Sequence, residues 1–486
     1  MSALPDTASA IPSSLLVGGD WRPAADDARF EVADPATGAT IATVASAGAD
    51  DARAAVEAAA AAFPAWAATA PRERGELLRR AFELVRLHAD ELVELIVREN
   101  GKPLADARAE LAYAADFLRW YSEEAVRVDG SLTRSPDGTM NLLVRRQPIG
   151  VALLVTPWNL PLAMVTRKVA PALAAGCTVV VKPAVSTPLC ALRFAQLLEQ
   201  AGLPAGVVNV LPSARSRAVV GAALAAEPVR KLSFTGSTEV GRVLLAQAAE
   251  RVLSCSMELG GNAPLIVLAD ADLDAAVAAT LVAKMRHNGE ACTAANRIYV
   301  DERIAATYTE RLAVAMRALR VGPGLDPASQ VGPLIDADAR DKVAALAQDA
   351  IDAGARMVAG GPRPDGEAGC FHSPTVLAGV APDAPILAEE IFGPVAPVVA
   401  FGDERELLAM ANASEHGLMA YVFSGDVGRA LRLADALESG MVAINRGVIS
   451  DPAAPFGGVK QSGVGREGGH DGMLEYTETK YVGVDW

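Results

Sequence analysis

Short apolar runs rich in β-branched residues alternate with helix-like segments between residues 150 and 237. The runs are GVALLVTP, CTVVVKPA, GVVNVLP and RKLSFTGS. The segments between them, at 163–175, 188–202 and 214–226, have the spacing and length of helices. This alternation predicts a parallel sheet covered by helices on both faces. Ligands of such sheets lie beyond the carboxyl ends of the strands, so residues there are candidates for a binding site.

A second alternation of the same kind predicts a second α/β unit. Its apolar runs are PLIVLAD, NRIYVD and, later, MVAIN, with helical patterns at 274–286 and 304–319. Helical patterns also fill 50–129, where Pro71 stands at a first helical position, Gly101 ends a long amphipathic run and Pro103 opens the next helix. NLLVRRQ, at 141–147, predicts a strand of an edge hairpin, and LEYTETKYVGVDW predicts a terminal strand.

The composition fits a large globular protein and excludes several classes of partner. The 486 residues suffice for about three structural units, and 51% are hydrophobic and 21% charged. With 44 Lys and Arg against 59 Asp and Glu, the net charge is −15, which argues against a nucleic-acid partner. The most apolar stretch, 151–181, is interrupted by prolines and charged residues, so no membrane span is expected.

The cysteines indicate reduced thiols rather than disulfides or a metal site. Cys177, Cys190, Cys255, Cys292 and Cys370 are far apart, without a CxxC pair or a Cys/His spacing suited to zinc. A sparse, odd number of cysteines is typical of a reducing cytosol. The first residues, MSALPDTASAIPSS, lack the basic and apolar regions of a signal or transit peptide. We therefore expect a cytoplasmic protein without a bound metal.

One glycine motif has the spacing of a dinucleotide-binding fingerprint but lacks the flanking elements that such a site needs. GxGxxG occurs at Gly463, Gly465 and Gly468, but only 18 of the 486 residues follow it, and FGGVKQS in front of it does not look like a strand. A dinucleotide site needs a preceding strand, a following helix and a returning strand. The motif is therefore predicted to be a glycine-rich loop.

Cys292 is the candidate nucleophile, although a lone cysteine is more often a small buried hydrophobe. It lies in RHNGEACTAANR, between a helical segment and the strand NRIYV. Several other segments of the sequence favour a catalytic role for Cys292. TPWN, FTGSTEVG, MELGGNAP, the Cys292 segment, EEIFGP and PFGGVKQSGVGRE occur in this order. Together they resemble the aldehyde dehydrogenase superfamily over essentially the whole chain.

The resemblance implies NAD(P)-dependent oxidation of an aldehyde to a carboxylic acid through a thiohemiacetal and a thioester. Cys292 matches the family's nucleophile, and Asn159, with the backbone N–H of Cys292, matches the donors to the oxyanion. Glu258 matches the general base that activates water against the thioester. Lys168 and Glu467 match a charged pair that relays the proton outward.

The resemblance also implies a site for NAD or NADP. Its residues here are Thr156, Pro157, Trp158, Lys182, Pro183, Ala184, Val185, Gly236, Ser237, Leu259, Glu390 and Phe392. Gly236 and Ser237 precede a predicted helix, where free N–H groups and the helix dipole favour a pyrophosphate. Val185 replaces a glutamate that many NAD-preferring members carry three residues after the equivalent of Lys182. Since that glutamate would repel a 2′-phosphate, we expect NADP to be tolerated.

The closest resemblance is to the branch that oxidises succinate semialdehyde. In that branch two arginines and a serine meet the distal carboxylate, and Arg167, Arg286 and Ser450 match them.

Several departures from the family pattern keep other aldehydes open as substrates. His287 and Glu290 differ from the common FRNAGQTC wording, and Arg446 places a bulky cation where relatives usually carry a small polar residue. Glutarate semialdehyde, another ω-carboxyl aldehyde or a broad range of aldehydes is therefore an alternative. Ala294 stands where some members carry a second cysteine, so no redox lock on the nucleophile is expected.

Two other functions fit the residues less well. An inactive binding or structural protein on the same fold has no chemical reason to keep Cys292, Glu258 and Asn159 together. A cysteine hydrolase needs an imidazole to activate the thiol, and of five histidines only His287 is close in sequence.

The resemblance implies an α/β fold with two Rossmann-type parallel-sheet domains and a small β oligomerisation element. The nucleotide-binding domain would cover 1–127 and 149–258, the catalytic domain 259–465, and the bridging element 128–148 and 466–486. In relatives the bridging hairpin extends a neighbour's sheet and covers an edge, so a homodimer or homotetramer is expected.

Overall fold

The structure is a computed structural model that describes residues 11–361 and 369–486. The first ten residues of the predicted nucleotide-binding domain, and with them most of the stretch without a leader pattern, lie outside the described residues. The strands are β1 (Leu15–Val17), β2 (Asp20–Arg22), β3 (Arg29–Ala33), β4 (Thr40–Ala45), β5 (Ser131–Arg134), β6 (Asn141–Pro148), β7 (Val151–Val155), β8 (Thr178–Lys182), β9 (Val208–Val210), β10 (Val229–Thr235), β11 (Ser254–Glu258), β12 (Ala263–Val267), β13 (Ala295–Asp301), β14 (Arg356–Ala359), β15 (Thr375–Ala378), β16 (Val395–Phe401), β17 (His416–Gly417), β18 (Met419–Phe423), β19 (Met441–Ile444), β20 (Val459–Lys460), β21 (Gly463–Val464) and β22 (Thr477–Val484). The α-helices are α1 (Ala49–Ala68), α2 (Pro71–Leu87), α3 (Ala89–Asn100), α4 (Leu104–Glu124), α5 (Ala163–Ala175), α6 (Leu189–Gln200), α7 (Ser216–Ala225), α8 (Thr238–Ala249), α9 (Leu273–Met285), α10 (Glu302–Arg317), α11 (Ala337–Asp352), α12 (Glu404–Asn412), α13 (Val427–Ala436) and α14 (Asp471–Leu474).

The helical patterns before residue 130 are confirmed, with one additional break. The amphipathic run that begins at Pro71 forms two helices, α2 and α3, which separate at His88. Helix α3 ends at Gly101, whose φ of 89° is left-handed, and α4 begins after Pro103. A Cβ at Gly101 would lie 2.7 Å from Pro333, so both the backbone conformation and the packing require glycine there.

The first alternation forms the predicted parallel sheet. Eight strands lie in the order β2-β1-β9-β8-β7-β10-β11-β21, and the five from β9 to β11 are parallel. Strands β7 and β8 are buried along their whole length, and so is helix α5, which explains their continuous apolar character. Strands β8 and β9 lie on one side of β7, and strands β10 and β11 lie on the other side. Because the sheet extends in opposite directions from this point, a crevice opens beyond the carboxyl ends of β7 and β10.

The second alternation forms a separate seven-stranded sheet, in the order β14-β15-β16-β13-β12-β18-β19. Its strands from β15 to β19 are parallel, and only the edge strand β14 is antiparallel. The predicted second α/β unit is therefore confirmed.

A three-stranded antiparallel sheet contains the predicted hairpin and the predicted terminal strand. Its order is β22-β6-β5. The predicted edge hairpin is confirmed as β5 and β6, with β5 as the edge strand, and β22 pairs with the other side of β6 along eight residues. The edges are β22 and β5, and all four residues of β5 are exposed.

The glycine-rich motif near the end of the chain is a loop and not a nucleotide cradle. Gly463 starts β21, which pairs antiparallel with β11 at Glu258. The helix that follows, α14, has only four residues. The prediction that FGGVKQS holds no strand is wrong for Val459 and Lys460, which pair with β17.

Three further features concern membrane-spanning helices, metal-binding groups and the state of the thiols. Among residues 11–361 and 369–486, no helix combines the length and the apolar character needed to cross a membrane. The same residues contain no group of three or more His, Cys, Asp or Glu side chains arranged to hold a metal ion. All five thiols are free.

Candidate active site

The predicted site residues converge because they follow strand ends of the first sheet. Asn159 follows β7, Lys182 ends β8, Gly236 follows β10 and Glu258 ends β11. Neighbouring parallel strands bring these ends to one edge, and β10 pairs with β11 at Thr235 and Glu258. The predicted residues therefore approach one crevice although more than 90 positions separate the first from the last.

Cys292 lies where two cavities meet, because it lines both of them. The arginine cavity, of about 180 Å³, contains the three residues predicted to meet the substrate, Arg167, Arg286 and Ser450. The tryptophan cavity, of about 280 Å³, is lined by Asn159 and by seven of the predicted cofactor contacts. Those seven are Pro157, Trp158, Gly236, Ser237, Leu259, Glu390 and Phe392.

The loop before Cys292 has a conformation that side chains rarely adopt. His287 and Asn288 have φ values of 54° and 60° inside a 3-10 helix that spans Arg286–Gly289. The Asn288 side chain donates to the Pro333 carbonyl at 2.9 Å and accepts from the Gly332 N–H at 2.7 Å. These bonds hold the strained turn, and such strain costs about 1–3 kcal/mol per residue.

Burial raises the pKa of the Cys292 thiol to about 12, although Arg167 and Arg286 act in the opposite direction. Gly261 makes room for the nucleophile's backbone, because a Cβ there would lie 2.2 Å from the Cys292 carbonyl oxygen. The thiol therefore sits in a tight, poorly solvated place and needs an arriving charge or base to ionise.

Asn159 is held by a buried network that contains two residues without a sequence signal. The side-chain amide of Asn159 donates to the backbone carbonyl of Glu290 at 3.0 Å. The backbone carbonyl of Asn159 accepts from Lys102 Nζ at 2.6 Å. Lys102 also pairs with Glu110, and both side chains are fully buried. Glu110 in turn accepts from the N–H of Leu162 at 2.9 Å, at the start of α5. The network fixes the Asn159 backbone beside Cys292.

Glu258 is a buried carboxyl with an unpaired oxygen. It is 4% exposed, and its Oε2 has no hydrogen-bond partner among the described residues. Burial and the neighbouring Glu467 raise the pKa of Glu258 to about 8. Glu258 lines neither of the two cavities. Its charge nevertheless acts on the nucleophile, because it raises the pKa of the Cys292 thiol.

The predicted pair of Lys168 and Glu467 is in contact, and a third residue joins it. Lys168 Nζ lies 2.5 Å from Glu467 Oε1 and donates to Ser233 Oγ at 2.9 Å. Arg167 Nε lies 2.6 Å from the other carboxylate oxygen, Glu467 Oε2. Burial pushes the pKa of Glu467 upward, but Lys168 and Arg167 outweigh it and lower the pKa.

Two aromatic rings and a carboxyl group line the tryptophan cavity. The rings of Trp158 and Phe392 meet edge to face, with centroids 5.4 Å apart. Glu390 Oε1 accepts from the Gly261 N–H at 3.1 Å, and burial raises the pKa of this carboxyl to about 7. The side chain of Ser237 caps helix α8 by accepting from the Val240 N–H.

The remaining predicted cofactor contacts lie at the ends of β7 and β8, away from the lining of the tryptophan cavity. The Thr156 N–H donates to the Lys182 carbonyl at 3.2 Å, and Pro183, Ala184 and Val185 follow β8. Lys182 is 5% exposed, and burial lowers the pKa of its amine to about 8. Within the described residues its Nζ makes no hydrogen bond or ion pair, so the structure keeps a buried amine unpaired at this edge.

The arginine cavity contains two residues that sequence reasoning missed, Tyr113 and Phe456, and one that it noted, His287. Neither the Tyr113 hydroxyl nor His287 Nδ1 has a hydrogen-bond partner in the described part of the chain. Nothing in the sequence around Tyr113 marks it. Arg446 is exposed and does not line the cavity, so the expected cation in the pocket is wrong. Glu290 is buried behind the cavity and accepts from the Ile335 N–H at 3.0 Å.

Comparison with known proteins decides the family. A model described as the aldehyde dehydrogenase family matches residues 21–482. The chain belongs to the aldehyde dehydrogenase family. It is an oxidoreductase of a family that uses NAD(P).

Several proteins similar to this aldehyde dehydrogenase are named for aldehydes that carry a carboxylate. It is 56% identical to a succinate-semialdehyde dehydrogenase of Paenarthrobacter nicotinovorans, over 91% of this chain and 98% of that protein. A glutarate-semialdehyde dehydrogenase of Pseudomonas putida and the NADP(+) succinate-semialdehyde dehydrogenase GabD of Escherichia coli are each 47% identical, over 96% of both chains. The crystal structure of succinate-semialdehyde dehydrogenase from Burkholderia pseudomallei has a TM-score of 0.96 and 48% identity, covering 98% of each chain.

The residues of this aldehyde dehydrogenase fit a nicotinamide dinucleotide. A Cβ at Gly236 would lie 2.5 Å from the Phe234 ring, so the backbone before α8 stays bare for close approach. The unpaired Lys182 amine at the end of β8 offers a donor to a ribose hydroxyl. Trp158 and Phe392 line the tryptophan cavity together with Cys292 and offer apolar aromatic surface to a nicotinamide ring.

Proposed function

We propose that this aldehyde dehydrogenase oxidises succinate semialdehyde to succinate with NAD or NADP. The carrying observation is the arginine cavity, where Arg286 and Arg167 line the same space as Cys292. A guanidinium binds a carboxylate through charge-assisted hydrogen bonds, so a cavity with two of them suits an aldehyde with a distal carboxylate. Ser450 adds a hydroxyl donor to the same lining. The named activities of the most similar relatives support this choice.

The chemistry follows from the residues around Cys292. Its thiolate adds to the aldehyde carbon, and the Asn159 amide with the Cys292 N–H stabilises the oxyanion of the thiohemiacetal. Bound NAD(P) supplies the hydride acceptor for this reaction. Water then attacks the thioester on Cys292: the C–S bond breaks, a C–O bond forms, and Glu258 takes the proton from the water. Lys168 and Glu467, in contact near Glu258, pass that proton outward.

We propose that Trp158, Glu390 and Phe392 hold the nicotinamide end of the cofactor and that Gly236 and Ser237 meet the pyrophosphate. Thr156, Pro183, Ala184, Leu259 and Lys182 would complete the site. Val185 leaves no carboxylate three residues after Lys182, so NADP is accepted as well as NAD. The name of the NADP(+) relative of Escherichia coli is consistent with this use.

Glutarate semialdehyde is a second candidate substrate. Arg446 is exposed and outside the arginine cavity, so no cation at that position shortens the space for a longer chain. The Pseudomonas putida relative is named for this aldehyde.

We also propose the division into a nucleotide-binding domain of 1–127 and 149–258, a catalytic domain of 259–465 and a bridging element of 128–148 and 466–486. The separate eight-, seven- and three-stranded sheets support it. The exposed edge strand β5 supports assembly into a homodimer or homotetramer, since an uncovered edge otherwise invites aggregation. The free thiols support a reducing, cytoplasmic location.

The deciding experiment is the initial rate of NAD(P)H formation at 340 nm with succinate semialdehyde, glutarate semialdehyde and butanal, each with NAD and with NADP. We expect the carboxylated aldehydes to exceed butanal roughly a hundredfold in kcat/KM, which corresponds to about 2.7 kcal/mol in the transition state. Equal values for butanal would reduce the conclusion to an aldehyde dehydrogenase without selection for a carboxylate.

A further inference from the structure

The two arginines of the arginine cavity have different electrostatic surroundings. Arg167 is 2% exposed, and its Nε faces Glu467 Oε2 at 2.6 Å. Arg286 is half-buried; among the described residues its guanidinium makes one hydrogen bond, to Thr293 Oγ1 at 3.5 Å, and no ion pair. Glu467 therefore offsets the charge of Arg167, although Arg167 Nε and Nη2 make no hydrogen bond among the described residues, whereas Arg286 has no carboxylate at ion-pair distance there.

Arg167 is held by one loop through two of its side chains. Its guanidinium carbon lies 3.8 Å from the centroid of the Phe456 ring, which is close enough for a cation–π contact. Phe456 and Glu467 are joined by a backbone bridge, with N–H to carbonyl distances of 2.6 and 2.8 Å. The ring and the carboxylate that hold Arg167 thus move as one unit, and Arg167 fixes that unit against α5.

The carboxylate held by Arg167 belongs to the proposed proton relay. Glu467 also contacts Lys168 through its other oxygen, so two cations share one buried carboxylate. The same three groups act on Glu258: Glu467 raises the pKa of its carboxyl, and Arg167 and Lys168 lower it. With two cations for two carboxyls, both Glu258 and Glu467 can be ionised. With Lys168 alone, one carboxyl would keep a proton to higher pH.

We propose that Arg167 is a positioning residue for deacylation, which holds Glu467 against Lys168 whatever acyl group Cys292 carries. This proposal rests on the proposed function, because it assumes that Cys292 carries the acyl group and that Glu258 activates water. It gives Arg167 a second role beside the substrate contact proposed above.

The test uses an ester that has no carboxylate and needs no cofactor. With p-nitrophenyl acetate, the Cys292 thiolate takes the acetyl group and releases p-nitrophenolate, and water then converts acetyl-Cys292 to acetate and the thiol. The burst of p-nitrophenolate measures acylation, and the steady-state rate measures deacylation. We compare the full-length wild type with Arg167→Met, Arg167→Lys and, as matched control, Arg108→Met, which changes an exposed arginine on α4 that lines neither cavity.

We expect Arg167→Met to keep the burst amplitude, to lose roughly tenfold in the steady-state rate near neutral pH, and to move the pH profile of that rate upward. Arg167→Lys, which keeps a cation but lacks the planar fork, should lose roughly threefold. Arg108→Met should match the wild type in both phases. The charged and titratable groups that face Glu258 and Glu467 are Arg167, Lys168, Arg466, Cys292, Tyr113, Tyr121 and Tyr476.

The outcomes separate this proposal from the proposed function. A wild type without a burst would mean that Cys292 is not the nucleophile, and both proposals would fall. A wild-type burst combined with an unchanged steady-state rate and pH profile in Arg167→Met would overturn the positioning role alone. If Arg167→Met gives no burst because the buried ion pair is needed for folding, Arg167→Lys decides, and a deacylation rate equal to that of the wild type would overturn the proposal.

Discussion

Arg286→Met is the substitution that most directly tests how the substrate is selected. The change removes the positive charge and keeps an unbranched side chain of similar reach. Arg286 has one hydrogen bond of 3.5 Å, to Thr293 Oγ1, and no ion-pair partner among the described residues, so the substitution breaks no salt bridge there. It does remove one of the charges that lower the pKa of Asp106. Its effect should therefore appear in substrate recognition and not in folding.

The size of the effect follows from the contact that would be lost. A hydrogen bond to a charged group contributes about 1.5–3 kcal/mol. Since each 1.36 kcal/mol corresponds to a factor of ten, kcat/KM for succinate semialdehyde should fall roughly 10- to 150-fold. Butanal has the same number of carbons and no carboxylate, so its kcat/KM should change by less than roughly threefold.

The assay measures kcat/KM for both aldehydes in the wild type, in Arg286→Met and in Arg286→Lys. The lysine variant keeps the charge but loses the guanidinium fork, so it should lie between the other two for succinate semialdehyde. The decisive quantity is the ratio of the two substrates in each protein. A loss of equal size for butanal and succinate semialdehyde, or no loss for either, would refute the assignment of Arg286 as the carboxylate anchor.

Three further predictions concern the general base, the cofactor and the glycine loop. Glu258→Gln should keep the p-nitrophenolate burst, while its steady-state rate should fall by a factor of roughly 10²–10⁴. The steady-state rate of the wild type should rise through a pH of about 8 as Glu258 loses its proton, whereas the rate of the variant should not. The same pH profile in both proteins would contradict the role of Glu258 as the base. Val185→Glu places a carboxylate three residues after Lys182 and should lower kcat/KM for NADP relative to NAD by roughly tenfold, measured with both cofactors at saturating aldehyde; an unchanged ratio would remove the argument from charge repulsion. Gly463→Ala forces a Cβ to 1.9 Å from the Met257 carbonyl oxygen at a φ of 141°, so the half-life at elevated temperature should shorten, with a cost of at least about 1–3 kcal/mol; a half-life equal to that of the wild type would show that the loop adapts.

Local patterns predicted most of the fold because burial leaves a periodic trace in the sequence. Strands β7 and β8 are buried on both faces and read as continuous apolar runs, and helix α5 coincides with the predicted segment 163–175. The break of the amphipathic run at His88 left no such trace, since apolar residues continue at helical spacing on both sides of it. Likewise, the place of β6 in its sheet depended on β22, more than 300 residues away.

Motifs located the candidate nucleophile, base and oxyanion donor, but not the groups that support them. Lys102 and Glu110 hold the Asn159 backbone through a buried ion pair, and no motif marks either residue. The family pattern predicts Arg446 as a cation in the pocket, where relatives usually carry a small polar residue, yet its side chain is exposed. The direction of a side chain on an irregular loop depends on the surrounding packing, which local sequence does not encode.

The sequence by itself determined the fold class, the family and the chemistry that Cys292, Glu258 and Asn159 offer, because these depend on residue types and on patterns that act locally. Only the tertiary structure decided which polar groups share a partner. Arg167 and Arg286 are the same residue type in one cavity, but Glu467, 300 positions after Arg167, neutralises only the first of them. Electrostatic interactions depend on distance in space, and the strength of each depends on how much water the fold excludes around it.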